Sequence, residues 1–446
     1  MNENNKQKRY HTITYGCQMN ENDTERLAGQ LKALGYEETD RPAAADVILV
    51  NTCCVRESAE KKIHGKIGEL KRLKAANPNL IIGVAGCMAQ KDRDKLFKRA
   101  PHIDLVLGTH NLHQLGDIIA ELGHSRGRVL AVWDQAERLA PGVPTIRKNK
   151  IAAWLPIMYG CNNFCTYCIV PYVRGRERSR PLGEVVAEAA DLAAQGFREI
   201  TLLGQNVNSY GKDEADHADF ADLLAAVDRV EGLARIRYMT SHPRDMNSKV
   251  IDTIRRSRHV CEHFHLPIQA GSDAVLKAMN RGYTAAGYRS LVADIREAMP
   301  GASLSTDIIV GFPGETDEMF ADTLALVEEI RFDAAYTFLY SQRSGTPAAD
   351  LPGQIPLAVK KERLQRLMAL QNDISLEINR ALVGAETEVL VEGESKNDAN
   401  KMMGRTRTNK IVIWDRTGRE QTGDLVTVTV DTAQTWVLKG TLTAVK

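Results

Sequence analysis

Three cysteines crowd into one short stretch, Cys161-Asn162-Asn163-Phe164-Cys165-Thr166-Tyr167-Cys168. Three thiolates at C-x-x-x-C-x-x-C spacing can ligate three corners of a cubane iron–sulfur cluster from a single loop, leaving the fourth iron without a protein ligand. An electron-transfer cluster ordinarily takes four cysteines, and a structural zinc site also closes its shell with four ligands. A zinc knuckle completed from elsewhere is the competing reading, but zinc loops usually space paired ligands by x2 or x4 and add a second pair. An open metal position implies chemistry. The loop must therefore sit where a substrate can reach it.

The flanking sequence supplies such a place. From Trp154 to Tyr340 short apolar runs (Trp154–Tyr159, Glu199–Gly204, Arg235–Thr240, His263–Ile268, Ser303–Val310 and Ala334–Tyr340) alternate with helical stretches such as Leu182–Gln195, Ala218–Val230 and Tyr283–Met299. Six βα units predict a partial, open (β/α) barrel with its site at the carboxyl ends of the strands, and the cysteine loop follows the first of them.

The first third alternates in the same way. Runs His11–Gly16, Asp46–Asn51, Leu80–Gly86 and Asp104–Gly108 are separated by helix-forming stretches Asn22–Leu34, Ser58–Ala75 and Lys91–Arg99. This pattern predicts a doubly wound parallel sheet. Its first three runs lead into Cys17, Cys53 and Cys87, and ligands of open parallel sheets gather at the carboxyl ends of strands. These cysteines would converge on a second cluster site; three buried core cysteines are the bland alternative. Cys54 adjoins Cys53, and neighbouring strand-end residues point opposite ways. Cys53 is taken as the ligand and Cys54 as a small filler.

Gln135–Lys150, with Pro141 and Pro144, reads as a linker. After a long helix over Leu357–Ala381 come short alternating strands, Thr387–Val391, Lys410–Trp414, Leu425–Thr429 and Trp436–Leu442, with turns at Gly393, Thr417-Gly418 and Asp431. They outline a small all-β barrel. The expected domains are residues 1–140, 147–380 and 383–446.

Several further groups are candidates. Asp307–Glu315 closes the fifth barrel strand with Gly311 and Gly314, where glycine permits close backbone approach. Gln205 and its neighbouring amides end the second strand, and Gln269 and Ser272 end the fourth, where Ser272 would serve equally as a helix N-cap. Cys261-x-His263-x-His265 has strand spacing and shares one face, which favours packed core over metal; His242 is similarly ambiguous. Arg174, Arg176, Arg178 and Arg180 would share one side if their segment is extended, and arginine forks suit phosphate. Residues 383–446 carry nine basic and nine acidic side chains. Within them Lys396, Lys401, Arg405, Arg407 and Lys410 face only Asp398 in sequence, a basic rim suited to RNA loops.

Net charge is +1, so any nucleic-acid contact must come from such local patches. Met1–Tyr10 is polar, without the apolar core of a secretory signal, and no apolar run approaches the ~20 residues of a membrane span. Eight cysteines then suggest a reducing, cytoplasmic setting and metal ligation over disulfides.

The loop Cys161–Cys168, with the aromatic Tyr167 before its last cysteine, resembles the radical S-adenosylmethionine (SAM) superfamily. Across its length the chain resembles that superfamily's methylthiotransferases, which join a three-cysteine N-terminal domain, a radical SAM barrel and a C-terminal TRAM β-barrel. Thr14–Asn20, Asn51–Cys53, Val55-Arg56-Glu57-Ser58, Tyr172–Arg178 and Glu392–Lys396 look most like the branch acting on N6-isopentenyladenosine at position 37 of tRNA. Cys54, where that branch more often has serine, is a departure. The resemblance implies two [4Fe-4S] clusters, one on Cys161, Cys165 and Cys168 and an auxiliary one on Cys17, Cys53 and Cys87. It implies SAM beside Tyr167, Gln205, Gln269 and Gly311; Gln205 stands where many members have glutamate. It implies one electron passed into SAM, an adenosyl radical, and methylthio transfer to C2 of adenine. Implied partners are tRNA at Arg174, Arg176, Arg178, Lys396, Lys401, Arg405 and Arg407, an electron donor and a sulfur donor, with the chain working as a monomer. Sister branches that modify a ribosomal-protein aspartate or threonylcarbamoyladenosine in tRNA would use the same six cysteines, whereas a non-catalytic RNA-binding metalloprotein would leave SAM uncleaved.

Overall fold

The computed structural model describes residues 7–54, 57–124, 127–135, 142–213 and 218–446, without the side chains of 57–61. Val55 and Arg56 of the sequence motif, and 136–141 of the expected linker, lie outside them. The chain divides into two compact units: residues 1–148 with 158–164 and 168–180, and residues 149–157 with 165–167 and 181–446.

The first unit begins with β1 (Arg9–Thr14), α1 (Gln18–Ala33), β2 (Glu37–Glu38), β3 (Val47–Thr52), α2 (Glu57–Ala76), β4 (Ile81–Gly86), α3 (Cys87–Asp92), α4 (Lys95–Arg99), β5 (Leu105–Leu107), α5 (Leu115–His124) and β6 (Val129–Ala131). Every residue of β3 is buried, as expected of a parallel strand covered on both faces. Alternation sends Ile48 and Val50 to one face, against Ile63, Ile67 and Leu70 of α2. Val47 and Leu49 go to the other, against Leu27 and Leu31 of α1 and Leu115 of α5. The sheet order is β2-β1-β3-β4-β5-β6, all parallel. Helices lie on both faces, and the winding reverses between β1 and β3. That reversal is where doubly wound sheets bind ligands.

The helix read over Lys91–Arg99 is two helices, because the backbone turns left-handed at Arg93 (φ 47°) between α3 and α4.

β7 (Ala152–Pro156) opens the barrel of the second unit. It is followed in the chain by β8 (Met158–Tyr159), α6 (Val170–Arg174) and β9 (Arg178–Ser179), which belong to the first. The barrel continues with α7 (Leu182–Ala194), β10 (Glu199–Leu203), α8 (Phe220–Val227), β11 (Arg235–Tyr238), α9 (Ser248–Arg256), β12 (His263–His265), α10 (Asp273–Ala278), α11 (Ala285–Ala298), β13 (Ser303–Val310), α12 (Asp317–Ile330) and β14 (Ala334–Leu339). Parallel sheets β11-β10-β7 and β12-β13-β14 meet through a parallel bridge between Ile236 and Val260. This is the open six-strand arrangement that the sequence predicts. The helix α13 (Leu357–Arg380) then leads to β15 (Glu386–Ser395), β16 (Asp398–Thr406), β17 (Ile411–Asp415), β18 (Leu425–Ala433) and β19 (Val437–Val445), a closed five-strand barrel around Trp414.

Gly393 is not a turn. It sits inside β15 at a register shift with φ 133°, a bulge that bends the strand. The turn falls after Ser395, and β16 beyond it escaped the sequence reading. Among the described residues no helix is long and apolar enough to cross a membrane.

Candidate functional site

The cysteine trio of the first unit stands on adjacent strand ends. β1, β3 and β4 are hydrogen-bonded neighbours. Cys17 is the N-cap of α1, three residues past β1; Cys53 follows β3 directly, and Cys87 starts α3 directly after β4. Gly86 has to be glycine: φ is 92°, and a Cβ there would lie 2.3 Å from Asn51 Oδ1. Cys17 is exposed, whereas Cys53, Cys54 and Cys87 are buried. Cys54 packs in the apolar cluster of Ile48 and Val84 and hydrogen-bonds to Cys87, which pushes the Cys54 thiol well up. The same bond pulls the Cys87 thiol down; burial opposes that, and the Arg174 guanidinium reinforces it.

In the same unit the N–H of Cys161 donates to Gly175 O at 3.1 Å, and a Cβ on Gly160 would collide with Arg176 O at 2.0 Å. β8 pairs antiparallel with β9. The condition for four arginines on one face, an extended segment, is not met. Arg174 ends α6 and is buried, its Nη2 donating to Asp23 Oδ2 at 2.7 Å. Arg176 lies over the Phe164 ring, 4.3 Å from its centroid. Arg178 is in β9, near enough to His110 to help burial push that imidazole down to about 4.

In the second unit Cys165 is buried, and Arg281 Nη1 donates to its sulfur at 3.2 Å. Arg281 Nη2 donates to Pro267 O (2.9 Å) and its Nε to Tyr283 Oη (2.9 Å). Thr166 is tied to the end of α10 through Met279 O and Ala278 O. Tyr167 packs on Ala270, Leu276 and Phe312. Sequence reasoning missed Arg281; its signal was the bracket Asn280-Arg281-Gly282, whose flanking residues have φ 58° and 71°.

The strand-end candidates divide. Gln269 holds φ 74°, rare for a non-glycine residue and a mark of local strain. Its N–H donates to Asp307 O and its carbonyl accepts from Ile309 N. Gln205 is half-buried, while the adjacent amides serve the fold: Asn206 donates to Asp245 (2.7 Å) and Asn208 to His242 O (2.9 Å). His242 caps the turn at Pro243, and burial pushes its imidazole down to about 3, so it is neutral. Gly311 (φ 72°) donates to Glu315 Oε2, which also receives Arg363 Nη1 at 2.7 Å. The space a Cβ would take at Gly311 is filled by the Lys360 stem. Ser272 begins α10 without a side-chain cap bond. His263 and His265 both bond to Ser305 Oγ at 3.0 Å.

The basic rim of residues 383–446 is largely neutralised, contrary to the expectation that it faces only Asp398. Lys401 pairs with Asp415, Arg405 with Glu392, Arg407 with Glu262 and Lys410 with Asp333, at 2.5–2.9 Å. Arg407 also donates to Val260 O and Arg258 O, while Arg237 donates to Thr406 O and Arg407 O. These bonds fix the β16–β17 turn to the residues beside the amino ends of β11 and β12. Lys396 is exposed.

Among the described residues no trio of Cys, His, Asp or Glu is already drawn to metal-ligand spacing. The donor chemistry nonetheless fits iron–sulfur ligation. Soft sulfurs come from one loop and from three neighbouring strand ends; a guanidinium donates to Cys165, and another beside Cys87 favours the thiolate that a metal requires there.

Residues 9–108 match the uncharacterized protein family UPF0004, 155–327 the radical SAM superfamily, and 380–443 the TRAM domain. The tRNA-2-methylthio-N(6)-dimethylallyladenosine synthase of Moorella thermoacetica is 54% identical over 97% of this chain and 98% of its own. The enzyme of that name from Carboxydothermus hydrogenoformans is 51% identical over 98% and 99%. Among solved structures, the radical SAM methyltransferase TsrM from Kitasatospora setae superposes with TM-score 0.55 at 17% identity, covering 77% of each chain. The cobalamin-dependent SAM radical enzyme OxsB gives 0.53 at 14%, covering 82% of this chain and 56% of its own. At such identities these two likenesses concern the fold.

Proposed function

The chain belongs to the family of tRNA-2-methylthio-N(6)-dimethylallyladenosine synthases within the radical SAM superfamily, and from this we propose that it adds a methylthio group to C2 of N6-isopentenyladenosine at position 37 of tRNA. The observation that carries the reading is two separate cysteine trios in one chain, one on a single loop and one on three adjacent strand ends.

Cys161, Cys165 and Cys168 hold a SAM-binding [4Fe-4S] cluster, and Cys17, Cys53 and Cys87 hold a second; Cys54, next to Cys53 and pointing the other way at the strand end, is not a ligand. Bound there, the clusters and SAM supply one-electron chemistry together with a transferable methyl group and sulfur. The protein's own part is placement. Arg281 donates to Cys165 and, through Pro267 O, ties that ligand to the end of β12. Tyr167 packs the loop on Phe312. Gln205, Gln269 and Gly311 border the SAM pocket at the ends of β10, β12 and β13. Arg176, Arg178 and Lys396 are the basic side chains offered to tRNA; Lys401, Arg405 and Arg407 reach it only by giving up the ion pairs they make. The target base leaves its stack to react, as base-modifying enzymes require.

The working divisions are residues 1–140 for the second cluster, 147–380 for radical SAM chemistry and 383–446 for tRNA. An electron donor and a sulfur donor complete the system, and the chain acts as a cytoplasmic monomer. Anaerobic incubation of reconstituted protein with SAM, reductant and isopentenylated tRNA tests the reading. Mass spectrometry should find methylthio-isopentenyladenosine and 5′-deoxyadenosine, both lost in Cys165→Ala. Deoxyadenosine without modified tRNA would move the substrate to a sister branch.

A further inference from the structure

Arg174 lies in a run that composition alone assigns to phosphate, yet its surroundings belong to the first cysteine trio. It is the last residue of α6, and only 5% of it is exposed. Ile169 and Val173 bury the helix beside Cys87, Met88 and Ala89. A buried guanidinium needs anionic partners. Asp23 of α1 supplies one at 2.7 Å, and Cys87, packed in one cluster with Val173, lies close enough to Arg174 for its guanidinium to act on the thiol. Guanidinium presents five N–H donors, more than one carboxylate can use. A phosphate could reach it only by unpacking the helix.

We infer that Arg174 is a positioning residue for the cluster on Cys17, Cys53 and Cys87, its charge partly balanced by Asp23, and not a contact for tRNA. The inference rests on the proposed second cluster. Hydrogen bonds and positive charge at ligand sulfurs stabilise the more reduced, more negative state of a cluster and hold its ligands in place. Asp23 works in the opposite direction. Removing either side chain should therefore move the same cluster with opposite signs, a pattern that general loss of packing would not produce.

The test uses full-length reconstituted protein. Iron content of the unmodified chain comes first: one cluster per chain would overturn the underlying reading before any variant is considered. With two clusters present, redox titration followed by electron paramagnetic resonance separates them, because added SAM perturbs only the cluster that binds it. In Arg174→Gln the SAM-insensitive signal should move to lower potential, and in Asp23→Asn to higher, with Arg174→Lys recovering part of the shift. The SAM-sensitive signal should stay, and tRNA affinity of Arg174→Gln should remain within about twofold of the parent. Selective loss of the SAM-insensitive cluster in Arg174→Gln, restored by Arg174→Lys, would also support the inference. No shift, shifts of the same sign, or an affinity loss of about tenfold would overturn it.

Discussion

Arg281 beside Cys165 and Arg174 beside Cys87 are both buried, and they differ in what balances their charge. Arg281 spends its other donors on a carbonyl and a phenol, with no carboxylate among its partners in the described residues. Arg174 shares its charge with Asp23. One cysteine thus faces an undiluted cation and the other a compensated pair. An unbalanced cation beside a ligand sulfur raises a cluster's potential, which eases uptake of an electron and lowers the driving force for passing it on. A compensated pair shifts the potential less. The two sites thus differ in the charges beside their cysteines as well as in the spacing of the cysteines themselves.

The largest effects should come from the cysteines themselves. Cys165→Ala should abolish 5′-deoxyadenosine formation. Cys53→Ala should leave SAM cleavage measurable and remove methylthio product, and Cys54→Ser should keep both. Product and deoxyadenosine quantified together check this, and equal losses in Cys53→Ala and Cys54→Ser would erase the distinction between the neighbours. Next, Arg281→Ala should lower the rate of SAM cleavage by about 10–100-fold, the usual cost of losing a partner of a metal ligand. Its tRNA affinity should not change, and Arg281→Lys should recover part of the rate.

A third substitution probes the frame of the second unit. Glu315 and Arg363 form an ion pair buried to 3% and 4% exposure. Glu315→Ala leaves the Arg363 guanidinium with Asp317 as its remaining carboxylate and should cost roughly 1.5–3 kcal/mol, read as a lowered denaturation midpoint. Arg281 variants, whose partners are a thiol, a carbonyl and a phenol, should not share so large a loss. The smallest effect belongs to the β-barrel, which holds no cysteine. Glu420 accepts from Trp414 Nε1, Thr417 N and Thr417 Oγ1. Burial pushes its carboxyl up, but these bonds outweigh it and hold the group down at about 2. A depressed carboxyl stabilises above its unfolded value, about 4.3, and that contribution is lost as pH falls toward the folded one. Glu420→Gln should cost about 1–2 kcal/mol at pH 7, and the gap should close between about pH 4 and pH 2 in paired denaturation curves.

Much of this architecture is legible in the chain because its signals are local. The all-apolar start of β3 requires two covered faces, and the turns that end β3 and β4 deliver Cys53 and Cys87 wherever those strands lie. Asp23 and Arg281 left no comparable mark, since their roles depend on partners more than a hundred residues away. The basic rim misled for the same reason: Glu262 and Asp333, which neutralise Arg407 and Lys410, come from the barrel. β16 was overlooked because its inward residues, Met402, Gly404 and Thr406, include a glycine and a threonine and alternate with Lys401, Met403 and Arg405, which leaves no clean apolar–polar alternation.

Iron and sulfide analysis with Mössbauer spectroscopy, on the full chain and two triple variants, tests the central claim most directly. The account predicts about eight irons per chain as two cubanes, falling to about four when Cys17, Cys53 and Cys87 are replaced together by alanine, or Cys161, Cys165 and Cys168 likewise. SAM should perturb the spectrum only where Cys161, Cys165 and Cys168 are intact. About four irons in the unmodified chain, or loss of all iron from either triple variant, would contradict it.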